Sequence, residues 1–166
     1  YGIIPEQVEQ YVSEMPDVLG AEVVKAGDVE TVVRNSDVVV TTTPSHKPFL
    51  KAEWLHPGLH ITAMGADSEH KQELHADVLG RADVLVCDIK SQCFRVGELH
   101  HGLEAGIISR DDPVIELGDL TSGREPGRTS DAEITVCDLT GIGVQDTVIA
   151  LLAYRKATEK NLGLRI

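Results

Sequence analysis

Short apolar runs, separated by segments long enough for a helix, constrain this chain more than any other feature. Residues 38–42 (Val-Val-Val-Thr-Thr) show no polar alternation, so the strand they predict is expected to be buried on both faces of a sheet. Residues 60–64, 84–87 and 133–137 predict further strands, with weaker candidates at 21–24 and 114–117. Strands of this kind separated by helical segments imply parallel pairing, because parallel neighbours need a crossover between them.

The intervening segments supply those crossovers. Pro5 opens an amphipathic helix over 5–15, with Val8, Tyr11, Val12 and Met15 at helical spacing and Pro16 as its stop. Asp28 is placed to cap a helix running to about Arg34, with Val29, Val32 and Val33 facing inward. A helical turn is expected at 51–54 and a tight turn at His56-Pro57-Gly58. Helices are then expected over 73–80, ending on Gly80, and over 97–105, closed by Gly106. Residues 121–130 read as a surface loop, and 144 to about 160 as the longest helix. The whole pattern predicts an α/β fold, a Rossmann-like parallel sheet with helices on both faces.

The chain's 166 residues amount to one domain with a substantial core. Lys and Arg total 15 against 27 Asp and Glu, a net charge of -12 with no basic block, which argues against nucleic acid and anionic membranes as partners. No apolar run approaches the roughly 18 residues of a membrane span. Cys87, Cys93 and Cys137 form no Cys-x-x-Cys pair and read as reduced thiols of a cytoplasmic protein, two of them ending strands.

Several strand ends carry chemistry. Thr41-Thr42-Thr43-Pro44-Ser45 closes the 38–42 run with hydroxyls and free backbone N–H groups, suited either to a nucleotide or to an ordinary loop exit. Asp67 follows Met64-Gly65-Ala66, with Lys71 four residues on. It reads either as a general acid/base at the carboxyl edge of the sheet or as an N-cap for a helix containing 71–73. Gly141-Ile142-Gly143 opens a helix after a strand, but Asp146 stands at the third glycine position, where a carboxylate opposes phosphate. That segment is a tight turn near a ligand and not a pyrophosphate loop. The seven histidines match no zinc pattern, so no metal site is expected; His100-His101 reads as a helix-surface or subunit-contact pair.

At 41–45, 64–73, Gly97-Glu98 and 140–146, in that order and spacing, the chain resembles the ornithine cyclodeaminase/mu-crystallin family of NAD(P)-dependent proteins. Thr-Ala-Met-Gly-Ala-Asp-Ser-Glu-His-Lys-Gln-Glu-Leu and Gly-Glu-Leu-His-His look most like its ectoine-utilisation cyclodeaminase-like branch. The resemblance implies NAD or NADP as cofactor, a small amino-acid or imino-acid substrate and a homodimer. It implies Asp67 as catalytic acid/base. Met64, Gly65 and Ala66 are implied along the nicotinamide side, and Lys71, Thr42, Thr43 and Ser45 as further cofactor contacts. Leu139 and Thr140 match the loop beside nicotinamide and substrate, with Leu139 standing where the cyclodeaminase has a serine.

In that family the glycine-rich turn, the first strand and the substrate-clamping Lys and Arg belong upstream of Tyr1. The resemblance therefore implies the C-terminal part of a two-domain protein of about twice this length. Residues 1–146 form a partial NAD(P)-binding Rossmann domain, and residues 147–166 a helix leading back to the dimerisation and substrate domain. Lacking the pyrophosphate turn, this chain is expected to bind NADH weakly on its own. Three activities fit: a cyclodeaminase, an imine reductase or amino-acid dehydrogenase of the iminosuccinate or alanine type, or a mu-crystallin-like binder without turnover.

Overall fold

The computed structural model describes residues 1–164. Five strands form one sheet: β1 (Val38–Thr41), β2 (His60–Ala63), β3 (Val84–Cys87), β4 (Val114–Glu116) and β5 (Thr135–Asp138). Their order is β1-β2-β5-β3-β4, and every pairing is parallel. The α/β parallel fold read from the sequence is therefore present. The last strand in the chain lies at its centre, between β2 and β3.

The register explains how the core is built. Val39, Ile61, Val136, Leu85 and Val114 lie in one row across all five strands; four of them are buried in the hydrophobic core and Leu85, partly buried, packs against it. Two residues on, towards the carboxyl ends and on the same face, the row is Thr41, Ala63, Asp138, Cys87 and Glu116. The opposite face of β1 is open: Val38 and Val40 are 60% and 56% exposed. The expectation that this strand is buried on both faces is corrected. β1 pairs with β2 alone among the described residues, and only one of its faces meets the core.

The helices are α1 (Pro5–Leu19), α2 (Val29–Arg34), α3 (Asp77–Arg81), α4 (Lys90–Cys93), α5 (Glu98–Glu104), α6 (Leu117–Thr121) and α7 (Gly143–Glu159), with a 3-10 turn at Ala52–Trp54. The Asp28 cap forms as expected, its carboxylate accepting from Thr31 N at 2.7 Å. Pro16 does not stop α1. It falls in the last turn, and the helix ends at Gly20, whose φ of 64° lets its N–H reach the Pro16 carbonyl. Residues 21–24 form no strand: they pair with none of the five described strands.

The helix expected over 73–80 begins only at Asp77. Glu73 and Leu74 are extended instead, with Leu74 bridging Leu50. Gly80 lies inside α3 rather than ending it; a Cβ there would come within 2.9 Å of Ile107 Cγ2. The last strand is shifted to include Asp138, and α4 and α6 were not anticipated. No helix among the described residues is long and apolar enough to cross a membrane. α7 has no buried residue, and positions 165 and 166, the end of the proposed C-terminal segment, lie outside the described residues.

Candidate functional site at the carboxyl edge of the sheet

Because β1, β2 and β5 are neighbours, the loops that follow them share one edge. Met64 N donates to Thr41 O at 2.9 Å, and Leu139 N to Ala63 O at 2.8 Å, so the pairing continues one step past the strands. Residues 42–45, 64–67 and 139–141 are thereby brought together, although 97 positions separate Thr42 from Leu139 in the chain. Met64, 49% exposed, and half-buried Leu139 follow the paired residues Ala63 and Asp138, so they stand side by side. Thr42 and Thr43 are exposed beside them. The Ser45 hydroxyl is already committed, donating to Lys47 O at 2.7 Å.

Asp67 lies exposed at this edge. Lys71 Nζ approaches its Oδ1 at 2.6 Å. The N-cap reading is overturned: residues 68–73 make only a turn, with Lys71 N donating to Ser68 O, and no helix follows Asp67 before α3. Lys71 is itself fixed from below, since His101 Nε2 donates to its carbonyl at 2.8 Å. The arrangement presents one carboxylate, paired with one cation, three residues beyond Met64 at the carboxyl edge. Such a group can accept or deliver a proton.

Four buried carboxyl groups behind this edge escaped the sequence reading as functional candidates. Glu73, with no exposed surface, accepts from Thr41 Oγ1 (2.6 Å), Thr43 N (2.5 Å) and Gly65 N (2.9 Å). Glu98, on α5, accepts from Glu73 N at 2.8 Å. Asp138 Oδ2 accepts from Leu99 N at 2.9 Å, while its Oδ1 is buried without a hydrogen-bond partner. Asp88 collects Thr140 N, Gly141 N and Ile89 N at 2.8–2.9 Å, together with the Cys93 thiol. Gln92 completes the hold on that loop, donating to Thr140 Oγ1 and Gly141 O.

Burial sets the protonation of the inner pair. It pushes Glu98 up to about 8, helped by the charge of Asp138 and opposed by the Glu73 N–H. It pushes Asp138 up to about 7, opposed by the N–H groups of Leu99 and Glu98. Burial likewise raises Cys137 to about 12, and a hydrogen bond with Cys87 followed by burial raises Cys93, so these thiols are inert core groups. A sequence signal for two of the acids did exist. Asp88 and Asp138 each follow an apolar strand, the same pattern that singled out Asp67.

Two lesser features resolve as well. The Gly141 turn has φ 81°, and its N–H is held by Asp88, which leaves the protein's own carboxylate where a phosphate would bind. His100 and His101 do not point apart as adjacent helix positions suggest. Their ring centroids are 5.1 Å apart, and with Glu104 they bring one donor atom each within 4.8 Å of one another. His101 Nε2 is engaged with Lys71 O, and His100 Nε2 lies 3.5 Å from Glu104.

The profile of the ornithine cyclodeaminase/mu-crystallin family matches residues 1–161. An uncharacterised cyclodeaminase of Sinorhizobium fredii is 51% identical over 136 residues, covering 82% of this chain and 41% of that protein. An archaeal alanine dehydrogenase dimer solved with bound NAD shares 38% identity at a TM-score of 0.88, over 99% of this chain and 50% of that one. The Δ1-pyrroline-2-carboxylate reductase of Thermococcus litoralis, solved with NADH and L-proline, shares 26% identity at a TM-score of 0.92, over 99% and 51%. The chain thus spans about half the length, or less, of these relatives. With the family profile matching all but its last few residues, this chain belongs to the ornithine cyclodeaminase/mu-crystallin family.

Proposed function

We propose that the protein carrying this chain is an NAD(P)-dependent enzyme acting on the carbon–nitrogen bond of a small amino or imino acid. The observation that carries this reading is Asp67, an exposed carboxylate paired with Lys71 at the carboxyl edge, three residues beyond Met64. The nicotinamide, when bound, supplies hydride exchange with the substrate alpha carbon. Asp67 moves a proton to or from the substrate nitrogen or an attacking water. Lys71, 2.6 Å from Asp67 Oδ1, orients the carboxylate. Met64, Gly65 and Ala66 lie along the nicotinamide side, Leu139 and Thr140 line the loop beside nicotinamide and substrate, and Thr42, Thr43 and Ser45 contact the remainder of the cofactor. NAD is the favoured form, since relatives of this chain were solved with NAD or NADH.

Within that class we favour a cyclodeaminase of the ectoine-utilisation type; the 51% identity to an uncharacterised protein named a cyclodeaminase supports the cyclodeaminase part, and the ectoine part rests on the resemblance of residues 62–74 and 97–101 alone. A reductase or dehydrogenase forming an amino acid is the second reading, supported by the alanine dehydrogenase and pyrroline-carboxylate reductase relatives. Absorbance at 340 nm with ornithine, alanine and iminosuccinate separates them. A cyclodeaminase releases ammonia with no net cofactor change, whereas the second class consumes cofactor in proportion to product. Cofactor binding with no turnover on any of the three would identify a mu-crystallin-like binder instead. We read residues 1–146 as the cofactor-side domain and α7 as the start of an arm towards a dimer partner. The exposed Val144, Val148, Ile149, Leu151 and Leu152 of α7 support that reading.

A further inference from the structure

We infer that Glu73 is a positioning residue that locks the loop after β1 to the loop after β2, so that the edge carrying Thr43 and Asp67 moves as one body. Describing that edge as cofactor-facing rests on the proposed function; the lock itself does not. Glu73 is fully buried, and both its oxygens are engaged in hydrogen bonds. Its donors come from two different elements. Thr41 Oγ1 and Thr43 N belong to the end of β1 and its loop, 32 and 30 positions away, and Gly65 N to the loop after β2. One side chain therefore bridges two strand ends that backbone pairing joins only as far as Met64.

The fit around Glu73 is tight. A Cβ at Gly65 would collide with both the Thr43 carbonyl and the Glu73 carboxylate, so the two loops touch with the acid between them. Glu73 is in turn held by α5. Glu98 accepts from its backbone N, and His101, one turn further along the same helix, fixes the carbonyl of Lys71 two residues before it. The segment between Asp67 and Glu73 is thus anchored at the carboxylate and at two points of its backbone. A reacting geometry needs its groups held within a fraction of an ångström, and this lock supplies that constraint to Asp67 without touching a substrate.

Amide hydrogen exchange on the 166-residue chain tests the lock. Glu73→Gln is expected to speed exchange at Thr43 and Gly65 by about tenfold or more while Val86 and Val136 stay protected. Unchanged exchange at Thr43 and Gly65, or equal acceleration everywhere, overturns the inference. If Glu73→Gln does not fold, Thr41→Val removes one donor while keeping the carboxylate, and the same selective pattern, weaker, is required. Val114→Ala on β4, at the opposite edge of the sheet from β1, serves as a stability control in a parallel NADH titration. Glu73→Gln is expected to weaken NADH binding by at least about tenfold beyond that control. Equal weakening in both variants would show a merely structural role. Where NADH binding by the unsubstituted chain is too weak to titrate, the exchange pattern alone decides on the lock.

Discussion

Asp67 and the acids behind it divide the work at this edge by exposure. Asp67 faces solvent with Lys71 against it, whereas Glu73, Glu98, Asp88 and Asp138 are buried and hold loops. Asp67→Asn keeps the shape and removes the proton carrier. Turnover is expected to fall by about 10²–10⁴-fold with cofactor affinity little changed, read from steady-state rates alongside NADH titration. Retained turnover would reassign the acid/base. The inner pair makes a second prediction. Glu98 and Asp138 rise from ordinary carboxyl values of 4.5 and 3.8 to about 8 and about 7 in the fold. Between those limits the unfolded chain binds fewer protons than the folded one, so their joint contribution to stability falls as pH rises and levels off above about 8. Glu98→Gln keeps an acceptor for Glu73 N and cannot ionise. Its melting temperature should therefore fall less than that of the unsubstituted chain between pH 5 and 8, and parallel pH profiles would refute this assignment.

Elements obey local signals until a tertiary contact outweighs them. The Asp28 cap was legible because it depends on a residue and its immediate neighbours, and the turn at Gly58 and the entry to α5 through Gly97, at φ 97°, because glycine marks them in the sequence, although Asp131 and Asp138 also press close there. Residues 73–80 carry a helical pattern, yet the helix waits until Asp77. Glu73 gives its side chain to the strand ends and its N–H to Glu98, neither of which is nearby in sequence. Glycines show the same division. Gly118 lies in α6 with open space around it, so Gly118→Ala is expected to stabilise by about 0.5–1 kcal/mol. Gly65→Ala, which would force apart the Thr43 carbonyl and the Glu73 carboxylate, is expected to destabilise by about 1–3 kcal/mol. Urea unfolding of the two variants checks the opposite signs.

At the scale of the whole molecule, the sheet buries one face well and leaves apolar surface elsewhere. Val38 and Val40 on β1 and five aliphatic residues of α7 are exposed, while a net charge of -12 opposes indiscriminate association. The chain is expected to self-associate as concentration rises, through α7. Val148→Glu with Leu152→Glu, one turn apart on that helix, should suppress association without lowering the melting temperature, because neither residue is buried. Sedimentation velocity reads the first effect and thermal unfolding the second. Association unaffected by both substitutions would move the contact away from α7.

The sequence by itself determined the parallel α/β class, most strand positions, and Asp67 as a carboxylate delivered to a strand end, because strand and turn signals are local and a crossover forces parallel order. It did not reveal which strands are neighbours. Only the tertiary structure placed β5 between β2 and β3, and that order brings Thr43, Asp67 and Thr140 to one edge. It also decided which acids are buried. A Glu beside a Leu looks alike on a surface helix and in a core, and the difference at Glu73 and Glu98 comes from donors supplied by distant elements. The same long-range packing removed the cap role from Asp67, since the segment after it is drawn down to α5 and the strand ends instead of coiling into a helix.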